Sequence, residues 1–517
     1  MSGEYEYDPF EYAKELEAGE DLGRSDLDEP RRGDDQGGVN RRDLLVRAGV
    51  GAAAVGGLGA LAGPAAAGTE RSSEVDANGK FTGTLRVLTL GVEFPIPAIQ
   101  QQASKDLGFT VKPIIASSQA QPQIAITSPD TFDVFGGYNY QSLLVWPSGS
   151  LQAVDTHKLP SWSQFYKLFT YGKLNPSSAA CTYGQGNAPF RTTFVDPSGS
   201  KNGVGTSTGL PIYSQGPPNN KQIIRWINES GRPFGGKPQP RFIVGPAAHF
   251  NADSMGYNAD VVKKLPNRVS WAELLNTKWK GRVSLLRDPG IMTQDAAAAV
   301  RALGLLTIKD FGNPTKAEID KLFKIMGKYK KAGQFRAFWS QFTDSVNFMK
   351  SGEVVIESMW SPAVALLKAE GVNVLYAAPP EGFRGWCSAE GISSGVKDPA
   401  KLQACYDYMN WNYNGFLGAV IMRQGYYIAN GTKLLPWIQS AAGRKAGFTS
   451  AEYDYWWGGK PAPRDLPGIT GKVGDIKKGT SREGGSFQKR ICRYVSWNSY
   501  PRESTYLVKT VNNFLSS

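Results

Sequence analysis

The sequence predicts an α/β protein built on a mostly parallel sheet, and three observations carry that expectation. Short strand-like runs alternate with helix-like stretches, which is the grammar of βαβ units. The composition, 41% hydrophobic and 20% charged, is that of globular material rather than of a disordered or fibrous chain. At 517 residues the chain is long enough for two or more domains, each with its own core.

The N-terminus stands apart from this pattern. Residues 1–43 hold fourteen acidic residues, among them Glu4, Glu6, Asp8, Glu11 and Asp35, against six basic ones. With almost no apolar periodicity they read as a disordered acidic leader. The leader closes on Arg41-Arg42, and residues 44–67 are a Gly/Ala-rich apolar run ending in small residues around Ala65 and Ala67. A basic pair, an apolar region and an A-x-A site make a signal peptide, and the paired arginines resemble the twin-arginine export signal. No strand precedes the Gly-x-Gly spacings of this run, so they do not make a nucleotide loop. No other stretch approaches the roughly 18 apolar residues a membrane helix needs. The expected location is the periplasm or the outer face of the cell membrane or cell wall.

Setting the leader aside changes the charge. The whole chain has a formal charge of +12, and residues 44–517 are near +20. The basic residues are spread along the chain, densest over Lys477–Arg493, without a nucleic-acid motif. A solvated basic surface facing an acidic envelope is the expectation, and no nucleic-acid partner. Four cysteines (Cys181, Cys387, Cys405, Cys492) show no C-x-x-C spacing, so neither a zinc site nor a thioredoxin-type motif is indicated; one or two disulfides are compatible with export, with pairing open. His157 and His249 are the two histidines, and neither lies in a nucleophile motif. Nothing asks for catalysis, a metal or a cofactor.

Along residues beyond the signal, "TLRVLTLG" (Thr84–Gly91) and "DVFGGYNY" (Asp133–Tyr140) read as strands, with "PAIQQQASKDLG" as a crossover helix between them. Residues 160–241 break the alternation with "DPSGSKNGVG", "SQGPPNN" and "GRPFGGKPQPR", a loop-rich insertion. Alternation then resumes. "SWAELLNTKWKGRVSLLRDPG" opens on Ser270, a helix N-cap with Glu273 three residues on, "AEIDKLFKIMGKYKKAG" is amphipathic, and "GEVVIESMW" is a buried strand.

Four segments, Ser270–Gly290, Ser351–Gly371, "YAAPPEGFRGW" (Tyr376–Trp386) and "RQGYYIAN" (Arg423–Asn430), stand in an order and spacing that resembles the solute-binding proteins of ABC importers, in particular the spermidine/putrescine-binding branch. The resemblance implies a type II periplasmic-binding-protein fold: lobe 1 from 80–250 and 392–517, lobe 2 from 254–388, with hinge strands crossing near Phe250–Tyr257 and Ser388–Val396. It implies a monomeric receptor that captures a polyamine or related amine between the lobes and delivers it to a membrane permease. By residue, it implies ligand contacts from Trp360 and Trp386 around a carbon chain, from Asp288 at a strand end, from Tyr426, from Tyr138 or Tyr140, and more weakly from Asp344.

Elementary chemistry agrees with those roles. Ligands of open α/β sheets bind beyond the carboxyl ends of the strands, where Trp360 falls, and an amine is held by ring faces and carboxylates. Two departures bear on the solute. After Trp386 come Cys387 and Ser388, where the branch has an aspartate two residues on, leaving Glu390 as the nearest acid; three residues after Asp288 stands Ile291 in place of a glutamate. A diamine, an amine with a neutral tail and an anionic solute all stay open. Two further classes stay open as well: a ferric-ion binder of the same fold, suggested by Tyr426-Tyr427 with Tyr138 and Tyr140, and a secreted enzyme or envelope-adhesion protein.

Overall fold

The first βαβ unit stands where the alternation places it. In the computed structural model, which describes residues 74–90, 97–170, 185–186, 241–501 and 503–517, β1 (Thr84–Thr89), α1 (Pro97–Leu107) and β2 (Thr110–Ile115) form a parallel unit, and β3 (Val134–Tyr138) pairs parallel on the other side of β1. The acidic leader, the twin-arginine pair, the apolar run and most of the insertion lie outside the described residues.

After the insertion the chain enters β4 (Ala247–Asn258), a twelve-residue strand buried along nearly its whole length. Then come β5 (Val283–Leu286), α2 (Pro289–Ala302), α3 (Lys316–Lys331), β6 (Phe335–Trp339), α4 (Phe342–Lys350), β7 (Ile356–Met359), α5 (Ser361–Ala369), β8 (Val374–Tyr376) and the eleven-residue β9 (Phe383–Ser393). The remaining elements used below are α6 (Pro399–Trp411), β10 (Tyr427–Ile428), α7 (Ser450–Trp456), β11 (Tyr494–Trp497) and α8 (Ser504–Ser516). All the strands named here join one thirteen-stranded sheet whose main path is β6-β5-β7-β4-β9-β3-β1-β2.

The sheet is parallel at its two ends and antiparallel in the middle. β1, β2 and β3 run parallel, as do β5, β6 and β7, while β4 and β9 pair antiparallel with each other, β4 also with β7 and β9 also with β3; at its start β9 pairs parallel with β11. β4 pairs with β10 through Phe250 and His249, then with β7 and β8 through Ser254–Asn258. It therefore passes from one lobe to the other near Ala252–Ser254, inside the expected crossing. β9 already pairs with β3 from Ser388 onward, so its crossing lies over Arg384–Cys387, just before the expected one.

Each lobe has its own core. One cluster gathers β1–β3 with α6, β10 and α7; a second joins Met255, Val283, Met292, Leu322 and Phe323. Leu507, Val511 and Phe514 of α8 belong to that second cluster, and the Phe514 ring packs on Phe323 with centroids 5.5 Å apart. The final helix thus returns to lobe 2, whereas the sequence places 392–517 wholly in lobe 1.

Local sequence explains the elements. In α3, Thr315 and Glu318 form a reciprocal capping box, Ile319, Leu322, Phe323 and Met326 face the core, and Lys328, Lys330 and Lys331 close the last turn. Ser270 caps as expected by accepting from Ala272 N at 3.1 Å, but the turn it starts, Trp271–Leu275, is a 3₁₀ helix and no capping box forms. Glu273 is drawn instead to Lys264, Asn276 and the Trp279 indole.

Candidate ligand-binding cleft

β7 ends at Met359, Trp360 stays extended at φ −85° and ψ 148°, and α5 begins at Ser361 with Pro362 in its first turn. Proline suits that position because its missing N–H has no acceptor there. The Trp360 ring crosses the carboxyl ends of the lobe-2 strands, edge-on to Trp339 at 5.1 Å and stacked on Phe342 at 6.4 Å, in a small cluster with Leu286 and Ile291. A tryptophan at a strand-to-helix junction is thus part of a ring wall at the strand ends of lobe 2.

Asp288, at the end of the segment after β5, caps α2 by accepting from Ile291 N at 3.0 Å. Its other oxygen accepts from Ser118 Oγ at 3.1 Å and from the Tyr140 hydroxyl at 3.4 Å, both on lobe 1. Gln119 Nε2 donates to Arg287 O at 2.9 Å beside them. The two lobes therefore touch across the cleft through Asp288.

From Tyr140 an aromatic run crosses to the hinge. Tyr140 stacks on Tyr138 at 5.4 Å and meets Tyr500 edge-on at 5.2 Å; Tyr138 meets Trp386 edge-on at 5.4 Å; Trp386 meets Tyr426 at 5.1 Å and His249 at 5.7 Å. β9 supplies Trp386, β4 supplies His249, and the loop after β3 supplies Tyr140. Tyr138, Tyr140, Trp386, Tyr426 and Asp288 are thus brought together, with Trp360 next to Ile291 on the lobe-2 side.

Beside the run lies a charged group that sequence reading did not single out. Arg384 on β9 is 1% exposed; its Nε donates to Asp295 Oδ1 at 2.7 Å, its Nη1 to Asn498 Oδ1 at 2.9 Å, and its Nη2 lies 3.8 Å from Asp253 on β4. Ser358 Oγ donates to the second oxygen of Asp295. Burial disfavours the Arg384 charge, but Asp295 and Asp253 outweigh it and hold the guanidinium above its ordinary range. The acids fare worse. Burial pushes Asp253 up to about 6 against the pull of Arg384, and also raises Asp295 and Asp288. Asp253 and Asp295 share Arg384, with Arg490 also acting on Asp253 and Arg384 acting on Asp288 from farther off, and burial still outweighs that positive charge at all three acids.

The remaining sequence candidates go elsewhere. Glu390 faces α6, accepts from Asn412 Nδ2, and is pushed by burial up to about 8; its neighbours are the lobe-1 residues Tyr408 and Tyr413, not the cleft. Expected as a ligand contact, it is instead a lobe-1 core residue, because β9 has already entered that lobe. Asp344 is part-exposed in the first turn of α4, and its charge acts on buried Glu357 rather than on Asp288. Tyr426, just before β10, packs on Trp386 and His249, whereas Tyr427 packs on Phe250, Trp457 and Phe487, so the two rings go to different neighbours. The tyrosine pair that suggested iron does not converge, and among the described residues no group of three His, Cys, Asp or Glu side chains is placed to hold a metal. Cys387 and Cys405 are buried free thiols, and Cys492 is disulfide-bonded.

Residues 220–416 match the sequence profile of the bacterial extracellular solute-binding proteins. The chain is similar to that family across its middle. Among solved structures, a provisionally assigned spermidine/putrescine ABC transporter from Listeria monocytogenes superposes with a TM-score of 0.51 at 12% identity, covering 83% of this chain and 98% of that one. The spermidine/putrescine substrate-binding protein PotD from Streptococcus pneumoniae gives 0.40 at 14% identity, over 64% of this chain and 78% of that one. The Atu4243-GABA receptor gives 0.43 at 14%, over 72% and 87%. No curated protein sequence matches. The Listeria likeness is one of fold, and the fold is the two-lobe architecture of periplasmic binding proteins. The matched residues include both hinge strands and Trp360.

Proposed function

We propose that this protein is the exported solute-binding receptor of an ABC importer, and that it captures a polyamine or related amine between its lobes for delivery to a membrane permease. The observation that carries this reading is the excess of acids at the hinge: Asp253 and Asp295 flank Arg384, Asp288 lies close enough to feel its charge, and all three carboxyls stay raised by burial although Arg384, and for Asp253 also Arg490, pull against it. An ammonium supplies the missing positive charge. The hydroxyls of Ser118 and Tyr140 that now reach Asp288 are neutral donors, and a charged donor on the same carboxylate makes a stronger hydrogen bond.

Asp288 and Asp295 come from lobe 2 and Asp253 from the crossing strand β4. Next to them Leu286, Ile291, Trp339 and Trp360 form an apolar wall. A solute with an ammonium at one end and an apolar stem uses both surfaces, and the ring faces also accept a second cation at shorter range. That ranks an amine with an apolar body first and a diamine second. The likeness to a spermidine/putrescine transporter supports the same chemical class by fold alone.

A thermal-shift screen with phenethylamine, putrescine, spermidine, amino acids, phosphonates and ferric citrate tests this. A ligand that binds only the folded state raises its melting temperature. A saturable rise with amines is expected; a rise with phosphonates or ferric citrate alone overturns the amine reading.

A further inference from the structure

A cavity lies away from the aromatic run. It occupies about 470 Å³ between lobe 2 and the segment that follows α7, within the range of small-molecule sites. One wall is the face of α5 bearing Val364, Ala365 and Lys368, with β8 beside it; the opposite wall holds Trp456, Ile469 and Arg482, and Arg490 reaches it from below. Neither Tyr138, Tyr140, Asp288, Trp360 nor Trp386 lines it.

Its charges do not balance. Glu483 is bound to Lys368, and Asp475 is engaged by Thr470 and Gly468 N. Arg482 and Arg490 are buried, at 5% and 1% exposure, and neither donates to a carboxylate. Arg482 donates to Trp456 O at 2.8 Å, to Gly425 O and to Asn251 Oδ1 at 3.4 Å, with its plane over Tyr427 and Trp456. Arg490 donates to Glu483 O at 2.5 Å and Ala252 O at 2.8 Å, and its buried Nε has no partner. Burial pushes Arg482 down to about 10. Buried charges are ordinarily paired. Glu483 and Asp253 act on Arg482 and Arg490 only through space, Glu483 being bound to Lys368. Two buried guanidiniums without a carboxylate acceptor, beside a cavity with apolar lining, are a site that an anion from outside the chain can complete.

We propose that this cavity is a second ligand site that takes a small organic anion, its carboxylate or phosphate meeting Arg482 and Arg490 and its apolar body lying against Val364, Ile469 and Trp456. Because its walls come from lobe 2 and from the segment after α7, occupancy ties the two together. The Asn251 side chain links the site to the cleft, accepting from Arg482 and donating to Asp253 at 3.2 Å and Ser361 Oγ at 3.0 Å.

The test is calorimetry and thermal shift on the full chain with benzoate and phenyl phosphate as probes and benzamide as the uncharged control. Saturable binding of at least one anion, and none of benzamide, is expected. Ala365→Trp fills the cavity from a part-exposed helix position, and Arg482→Gln removes the charge; each should weaken the anion by roughly tenfold or more. The Ala365→Trp variant should keep its melting-temperature rise with amines, so the cleft reading stands or falls separately. If Arg482→Gln does not fold, the cavity-filling variant still decides. The proposal is overturned if neither anion binds at millimolar concentration, if benzamide binds equally well, or if Ala365→Trp binds the anion like the parent. Benzoate without phenyl phosphate, or the reverse, identifies which anionic group the site accepts.

Discussion

Arg384 and Arg482 are both buried guanidiniums at the hinge, and their surroundings are opposite. Arg384 lies among carboxylates that exceed it in number and keep it charged against burial; Arg482 lies among backbone carbonyls and rings, and burial pushes it down to about 10. Asn251 stands between them with its amide nitrogen toward Asp253 and its oxygen toward Arg482. Burial costs each charge about the same solvation, so the difference comes from the company each keeps. One region is short of a cation and the other of an anion, and each imbalance points to the ligand charge that would correct it.

The largest expected effect strikes the comparison directly. Arg384→Met strands Asp253 and Asp295 in the interior and should cost about 3–5 kcal/mol of stability. Arg482→Met strands carbonyl oxygens only and should cost about 1–3 kcal/mol. Urea midpoints of the two variants read the difference; equal losses would mean that the acid cluster is not held by Arg384.

Next in size is Asp288. Asparagine caps helices as well as aspartate does, so Asp288→Asn should keep α2 and the melting temperature of the free protein. Affinity for an amine should fall by about 2 kcal/mol or more, since a desolvated ammonium loses its charged partner. Binding of benzoate at the cavity beside Arg482 should not change.

Trp360→Ala should weaken amine binding by about 1–2 kcal/mol through loss of a ring face, with the circular dichroism spectrum retained. A variant that fails to fold would show that the Trp339–Trp360 contact is core packing and not a ligand wall.

The pH dependence of stability gives a further check. Asp253 titrates at about 6 in the folded protein against an ordinary 3.8, and Glu390 at about 8 against 4.5. Both folded values are raised, so the stability these groups contribute is fully present below about pH 4 and is lost as pH climbs through 6 and then 8. The free protein should melt lower at pH 8 than at pH 5.5, and Glu390→Gln should flatten the upper part of that decline. A profile that rises over this range would contradict the burial of these two groups without sufficient positive charge.

The ring wall and the fold were legible because they follow from periodicity and strand ends. Trp360 ends a run of strand formers, Asp288 precedes a proline at a helix start, and the tyrosines follow β3; each lies at an edge that topology turns toward the cleft. Asp253, Asp295 and Arg384 sit within elements, where an acid or base ordinarily faces water. A signal for Asp295 did exist. It precedes the run Ala296–Ala299 in a helix whose residues Pro289–Val300 are all buried, and a helix without a polar face obliges any acid in it to find a buried partner. Glu390 falls in the lobe-1 core because β9 crosses between the lobes before Ser388, ahead of the expected segment Ser388–Val396. The return of α8 to lobe 2 had no local signal, since its amphipathic face fits either core.

The most direct measurement is an isothermal titration of the parent and of Asp288→Asn with phenethylamine and putrescine near pH 6, in two buffers of different ionisation enthalpy. An ammonium placed beside the hinge acids lowers the pKa of Asp253, so the account predicts that binding releases protons and that Asp288→Asn binds at least tenfold more weakly, about 1.4 kcal/mol or more. Proton uptake on binding, or an amine held equally or more tightly by Asp288→Asn, would contradict it.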